Sequence, residues 1–380
     1  MIALLPKILF WFSLALVFHT FVGYALLMFL LAKLRDPKTL LSNPQLPTPA
    51  VTVILAAHNE ALRIAPRLQN LLAADYPSDK LQIIVTDDGS TDDTAVQARA
   101  LAEPRIQLIT EPQRHGKAHA LNLAFAAAKT DIIVFADVRQ TFAPDAIAKL
   151  ARHFHDLEIG GVSGELLIDP ADSAVGGGVD FYWRLEKFLR YNEARWDSTI
   201  GCTGAIYAIR RELYRPISPD TILDDVVIPM QIAAQGFRVG FDPEAKAFDP
   251  QTLEPEREAV RKRRTLAGNY QMLFRHPAWL LPWRNRLWWQ LISHKYLRLA
   301  APFLLALLFL ANLALVGKTF FTVTFIGQCA FYGLAIGGLS FPRKKIFALP
   351  AGFTFLNWQS AVALWHYLRN PNQSGWKKSS

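Results

Sequence analysis

Carboxylates and cations recur in this chain at the places where an α/β protein puts its chemistry. Four short apolar runs, residues 51–57, 81–86, 106–110 and 131–136, lead into polar segments. These are His58-Asn59-Glu60 after the first, Asp87-Asp88-Gly89-Ser90 after the second and Asp137-Val138-Arg139 after the fourth. Carboxylates accept hydrogen bonds from polar ligand groups and hold hard divalent cations through oxygen. Lys117, next to Gly116, offers a mobile cation suited to a phosphate. Asp224 and Asp225 are adjacent acids at the start of a helix-like run, 225–235. Such a pair raises one pKa and lets a base work near neutral pH. Each group also has a plainer reading: turn stabilisation for Asp87, a solvated helix-start lysine for Lys117, and N-capping for the Asp224-Asp225 pair. Ser90 reads as an N-cap with Asp92 and Asp93 near the positive end of the helix dipole, which leaves Asp87 and Asp88 unexplained.

The elements that must position these groups alternate in type. The four runs are nearly all apolar, as strands covered on both faces should be. Helical stretches at 61–73, 91–102 and 117–128 lie between them. This pattern predicts βαβ units on a mostly parallel, Rossmann-like sheet, in which ligands bind outside the carboxyl ends of the strands.

The rest of the chain belongs to a membrane. Residues 8–32 carry no charge and are long enough to cross the roughly 30 Å hydrocarbon core. No small-residue cleavage site precedes Lys33, so a transmembrane helix is expected rather than a signal peptide. Lys33, Arg35 and Lys38 follow it and only Lys7 precedes it, which places the following domain in the cytoplasm. Residues 299–341, with Lys318 as the one charge, suit two spans hinged near 317–319, and Pro342-Arg343-Lys344-Lys345 closes the hairpin on the positive side. Residues 346–368 suit either a third span or an interfacial helix. The Trp- and Arg-rich stretch 279–298 has the composition of an amphipathic helix at headgroup level. The expected organisation is an N-terminal span (1–34), a linker (35–50), the α/β domain (51–274), an interfacial region (275–298), a hairpin (299–341) and a last helix with tail (342–380). Of 380 residues, 51% are hydrophobic and 19% charged, which excludes a disordered chain. The two cysteines exclude a disulfide scaffold or a cysteine zinc cluster. The net charge of +9 favours anionic partners. Nucleic acid is not among those expected, because the membrane explains the basic segments and no nucleic-acid module is recognisable.

Six segments in order carry a family resemblance. Val51 to Glu60, then Ile83-Ile-Val-Thr-Asp-Asp-Gly-Ser-Thr-Asp92, resemble the nucleotide-binding half of a family 2 glycosyltransferase with the GT-A fold. Gly116-Lys-Ala-His-Ala-Leu-Asn122 resembles its Gly-Lys-Ala-x-Ala-Leu-Asn segment, and Val134-Phe-Ala-Asp137 the strand leading into its Asp-x-Asp motif. Gly201 to Arg211 resembles the acceptor-side segment, including Thr203 and Gly204, and Leu223-Asp-Asp-Val226 the acidic pair. The likeness covers roughly 51–271 and is of the membrane-embedded, exopolysaccharide or poly-N-acetylglucosamine synthase type.

The resemblance implies an inverting transfer of a sugar from a nucleoside diphosphate sugar, with a UDP-sugar the expected donor. The implied acceptor is a growing exopolysaccharide or a lipid-linked sugar. It assigns Asp87 to base or ribose with Glu60 and Asp88 beside it, Lys117 to phosphate, and Asp225 to the general base, oriented by Asp224. The family's Asp-x-Asp reads Asp137-Val138-Arg139 here. Either Asp137 with phosphates and water still holds Mg²⁺ or Mn²⁺, the preferred reading, or Arg139 supplies positive charge in its place. Arg264 matches the arginine of the Gln-x-x-Arg-Trp motif of polymerising members. Arg261 and Thr265 stand where that motif has Gln and Trp, which leaves processive and single transfer both open. The expected site is an inner-membrane, multi-pass enzyme in contact with lipids and with export or polymer-synthesis partners. The alternatives are a non-processive lipid glycosyltransferase and a non-catalytic nucleotide- or lipid-binding protein on a degenerate transferase fold.

Overall fold

The computed structural model describes residues 4–35, 47–168, 174–250, 255–341 and 344–369. Lys38, Pro342 and Arg343, most of the 35–50 linker and the tail beyond 369 lie outside them. The linker's last residues are pinned to the domain, with Tyr76 donating to the Pro49 carbonyl at 2.5 Å and Lys80 to that of Thr48 at 2.9 Å.

Eight strands form one sheet: β1 (Val51–Ala57), β2 (Leu81–Asp88), β3 (Ile106–Glu111), β4 (Ile132–Ala136), β5 (Thr141–Phe142), β6 (Ile159–Ile168), β7 (Ile206–Arg210) and β8 (Arg238–Asp249). Their order is β3-β2-β1-β4-β7-β6-β8-β5. The first four are parallel, as the alternating pattern predicts, and β7 then joins β4 antiparallel. A β-strand sends successive side chains to opposite faces, and β1 is buried throughout. Val51, Val53 and Leu55 pack against Ile64, Leu68 and Leu71 of helix α2 (Ala61–Leu72). Ile54 and Ala56 face α4 (Lys117–Ala127) and α7 (Asp224–Ala234) through Ala118, Leu121, Ile228 and Ile232. A helix-covered sheet of this kind exposes its strand ends rather than its faces, so Asp87, Asp88 and Asp137 emerge along one edge. The helix after β2, α3 (Thr94–Arg99), is shorter than expected, and Ser90 does not cap it. Its hydroxyl donates to Asp87 and accepts the Asn59 N–H at 2.9 Å, so the ends of β1 and β2 are fastened together instead.

Three helices among the described residues are long and apolar enough to cross a membrane: α1 (Leu4–Leu34), α9 (Trp288–Leu313) and 319–338 within α10 (Thr319–Ser340). The turn between the last two contains Gly317, whose φ of 107° suits glycine. Phe10 near the start of α1 packs on Phe321 near the start of α10, with ring centroids 5.1 Å apart. At the other end of α1, Arg35 lies over the Trp196 ring at 5.2 Å. Trp196 ends α6 (Ala174–Trp196), a helix of the α/β domain. Residues 277–280 form a single 3₁₀ turn, and the chain from Trp288 onward is continuous with α9 through a π turn at Ile292–Tyr296. The last helix, α11 (Lys345–Arg369), packs against α6, α10 and α8 (Pro255–Arg275), and its polar Asn357 and Ser360 are buried.

Candidate active site

Lys117 sits at the centre of the strand-end edge. Its ammonium lies 3.0 Å from Asp137 Oδ1 and 3.3 Å from Asp224 Oδ2, tying the end of β4 to the start of α7. The approach to Lys117 is built by Asp88. That carboxylate is fully buried at the end of β2 and accepts the backbone N–H groups of His115 (2.8 Å) and Gly116 (2.7 Å). Gly116 then takes φ 105°, a left-handed turn that delivers Lys117 as the first residue of α4. Burial works against the Lys117 charge, but Asp137, Asp224 and Asp225 outweigh it and hold the ammonium protonated well above its ordinary range.

Asp224 and Asp225 occupy the first turn of α7. The residue before them, Leu223, is in the N-cap position and no side chain caps the helix, so capping does not account for the pair. Asp224 is buried, and its Oδ2 makes no hydrogen bond among the described residues, facing Lys117 instead. Asp225 is only partly buried. Desolvation and the Asp224 charge raise its carboxyl to about 6, partly offset by Lys117, Arg190 and Lys295. That is near the value a general base needs at neutral pH.

The segment before β7 walls in Asp225. Its backbone carbonyl accepts the Cys202 N–H at 2.7 Å, and a Cβ on Gly204 would stand 3.0 Å from its Oδ2. Glycine at 204 therefore keeps space beside the carboxylate. Thr203 is held by its N–H to Ser163 Oγ (2.8 Å), while its hydroxyl accepts from Arg190 (2.6 Å).

The remaining expected residues divide. Asp87 is buried at the end of β2 and accepts both the hydroxyl and the N–H of Ser90, so much of its hydrogen-bonding capacity shapes the turn. Glu60 pairs with Arg63 at 2.9 Å. Asp88 accepts one backbone N–H of the His115-Gly116 loop on each of its oxygens and so positions that loop. The guanidinium of Arg139 pairs with Asp249 of β8 at 2.6 Å, so its charge is met in part by an acid of the sheet. Arg264 is exposed on α8, and no ion pair links it to the acidic cluster among the described residues.

Two sets of contributing residues escape a motif reading. Arg67 of α2 is 2% exposed and donates to the Asp137 carbonyl at 3.1 Å, fixing the backbone of Asp137. Burial lowers it to about 9 against the pull of Asp137. Its signal in the sequence is a charge on the apolar stripe Ile64, Leu68, Leu71. The second set joins membrane to domain. Glu186 of α6 takes Lys295 (3.2 Å), Arg298 (3.0 Å) and His294 (2.9 Å) from α9, and Arg190 (3.4 Å) from its own helix. Glu193, two turns further along the same face of α6, takes His294 (2.8 Å) and the Tyr24 hydroxyl of α1 (2.5 Å).

The fit to a divalent cation rests on the donor set. Asp137 is a hard oxygen ligand, 36% exposed at a strand end, with Arg139 drawn away from it. One protein carboxylate suits a hard ion whose other ligands come from a diphosphate and water.

Residues 52–217 match the family model of glycosyl transferase family 2. Over this segment the chain is similar to family 2 glycosyltransferase domains. It contains Asp87, Lys117, Asp137 and Thr203, and the α/β architecture and the membrane helices are those the family resemblance implies. An N-acetylglucosaminyltransferase of Rhizobium meliloti (strain 1021) is 30% identical over 229 residues, 55% of this chain and 53% of that protein. The poly-beta-1,6-N-acetyl-D-glucosamine synthase of Staphylococcus aureus (strain COL) is 26% identical over 211 residues, 53% of this chain and 51% of that one. The chain thus spans about half the length of the curated relatives it matches. Among solved structures, a mannosyltransferase from Pyrobaculum calidifontis in complex with GDP-Man and Mn²⁺ superposes with a TM-score of 0.71 at 27% identity, covering 94% of this chain and 99% of that one.

Proposed function

We propose that the protein is an inverting, membrane-embedded glycosyltransferase that moves a hexosyl or N-acetylhexosaminyl unit from a nucleoside diphosphate sugar to a saccharide or lipid-linked acceptor. The observation that carries this reading is the Asp137–Lys117–Asp224 cluster beside the raised carboxyl of Asp225. Asp225 removes the proton of the acceptor hydroxyl as that oxygen forms its bond to the anomeric carbon, and the bond from that carbon to the diphosphate oxygen breaks. With its carboxyl at about 6, Asp225 is mostly ionised at pH 7 and still basic enough to take the proton. Lys117 offsets the charge that grows on the departing diphosphate. Asp137 is the residue that would hold Mg²⁺ or Mn²⁺, which when bound neutralises part of the same charge. A single displacement on one face of the sugar inverts the anomeric centre. Asp87 and Glu60 serve base and ribose, and Thr203 and Gly204 line the acceptor approach.

The domain is proposed to face the cytoplasm beneath an inner membrane. Lys33 and Arg35 end α1 on the side where Arg35 meets Trp196 of the domain, in keeping with the positive-inside rule. A second reading concerns the donor. The relatives of the N-acetylglucosamine type favour a UDP-sugar. A match that extends over nearly the whole of both chains is to a mannosyltransferase in complex with GDP-Man, which favours a GDP-hexose.

The test is nucleotide release by detergent-purified protein across UDP- and GDP-sugars, with Mg²⁺, Mn²⁺ or chelator, and with added native membranes as the source of acceptors. Donor-selective release that needs metal, and falls at least ~100-fold in Asp225→Asn, is expected. Release unaffected by chelator removes the metal from Asp137. Absence of release from every donor, in protein that binds nucleotide, establishes the non-catalytic alternative.

A further inference from the structure

A second cluster of ligating side chains, sharing no residue with the acidic one, flanks the loop that carries Lys117. Glu111 ends β3, His115 lies in the following loop, and His119 is in the first turn of α4. Glu111 Oε2 is 3.6 Å from His115 Nδ1 and 3.5 Å from His119 Nε2, and the three ligand atoms all lie within 4.8 Å of one another. Ligands about 2.0–2.1 Å from a tetrahedral ion sit roughly 3.3 Å apart. The two carboxylate–imidazole separations are therefore already close to those of a bound ion, and rotation of the half-exposed His115 ring closes the third. His119 Nε2 is shielded from solvent and makes no hydrogen bond among the described residues.

The scaffold holds these donors in place before any ligand arrives. In the β2–β3 register, Asp88 is opposite Glu111. The same Asp88 grips the N–H groups of His115 and Gly116, so one buried carboxylate fixes the loop from which His115 projects. His119 is fixed by the start of α4, and its ring lies 4.6 Å from that of His115.

We propose that Glu111, His115 and His119 form a site for a borderline divalent transition ion of the Zn²⁺ class, distinct from the Mg²⁺ or Mn²⁺ position at Asp137. Zinc accepts imidazole nitrogen and carboxylate oxygen together, whereas magnesium and calcium favour all-oxygen sets, so the two imidazoles select against them. Three protein ligands leave a fourth position for water. The ion clasps the end of β3 to the first turn of α4 across the five-residue segment that sets Gly116 and Lys117, and so stiffens the loop that presents Lys117.

The proposal is tested on the full-length, tag-free chain in detergent by equilibrium Zn²⁺ binding in the presence of excess Mg²⁺, with thermal unfolding followed in parallel. One equivalent of Zn²⁺ per chain is expected above that bound by a His115→Ala/His119→Ala double variant, together with a Zn²⁺-dependent rise in the unfolding midpoint of the parent chain. Glu111→Gln, which keeps the side-chain shape and guards against misfolding of the double variant, should weaken the site at least ~10-fold. Equal Zn²⁺ binding by parent and variants, no equivalent resistant to Mg²⁺, or no change in the unfolding midpoint of the parent overturns it. None of these readouts depends on sugar transfer, so the site stands or falls independently of the proposed activity.

Discussion

Replacing Asp225 by asparagine should make the protein inactive and more stable at once. Desolvation and the neighbouring Asp224 raise the Asp225 carboxyl from 3.8 to about 6, against the attraction of Lys117, Arg190 and Lys295. A difference of roughly two pKa units corresponds to about 3 kcal/mol. The sign follows from proton binding. Below about pH 4 both folded and unfolded chains carry the proton and the site costs nothing. Between about 4 and 6 the unfolded chain loses its proton first, so stability falls as pH rises; above about 6 the folded state bears the whole penalty. Asparagine removes that penalty, so a gain of up to about 3 kcal/mol at pH 7 is expected, shrinking to near zero at pH 4. Turnover should drop ~100-fold or more, since the base is gone. The parent enzyme's rate should rise with pH through a limb near 6. The assay pairs thermal unfolding at several pH values with nucleotide release. A variant that loses activity and stability together at pH 7 refutes the account of a strained, desolvated base, and one that keeps its activity refutes the assignment of the base itself.

Lys117→Gln leaves Asp224 buried without its cation, which should cost about 3 kcal/mol in unfolding measurements and lift the limb of the pH–rate profile as Asp225 loses an attracting charge. Gly204→Ala puts a Cβ 3.0 Å from Asp225 Oδ2, so the carboxylate must shift by a few tenths of an ångström. Turnover should fall about 10-fold with little change in unfolding midpoint, since misplacement of a reacting group is penalised steeply. Glu186→Gln strips the charge that balances Lys295, Arg298 and Arg190, with an expected loss of about 3–5 kcal/mol at pH 7. Burial raises the Glu186 carboxyl, but His294 and Lys295 hold it well below its ordinary 4.5. Its contribution is therefore present at neutral pH and disappears on acidification below that value, where the unfolding midpoints of variant and parent should converge.

What the sequence made legible was local. The strand β1 and the starts of α2 and α4 fall where hydrophobic pattern and glycine put them, because both are decided within a few residues. The acids at the strand ends are visible for the same reason. Ser90 shows where such reading stops. Its sequence context is that of a cap, yet its hydroxyl is claimed by Asp87 and Asn59, the second of these 31 residues away. Arg139 is similar, since the partner that takes it, Asp249, is 110 residues distant. Arg67 was legible in principle, because a charge on an apolar helix stripe demands a buried partner. One partner, Asn70, is a turn further along the same helix, but the other is the Asp137 backbone carbonyl, which leaves no mark in the sequence.

The least legible feature connects the membrane to the proposed base. Tyr24 of α1 meets Glu193, which shares His294 of α9 with Glu186. Glu186 pairs with Arg190, and Arg190 holds the hydroxyl of Thr203, in the segment whose Gly204 borders Asp225. The members come from α1, α6, α9 and the chain before β7, so no window of sequence contains the pattern. Burying so many charges is costly unless each is matched, and an apolar packing of the same helices would hold them together at no such cost. What ion pairs and hydrogen bonds add is direction, because they fix the rotation of α6 on α1 and α9 where apolar contacts tolerate sliding. With α6 fixed, Arg190 presents Thr203 at one distance from Asp225. The apolar helices therefore do more than tether the domain: through α6 they position Thr203 and Gly204 beside Asp225, the proposed base.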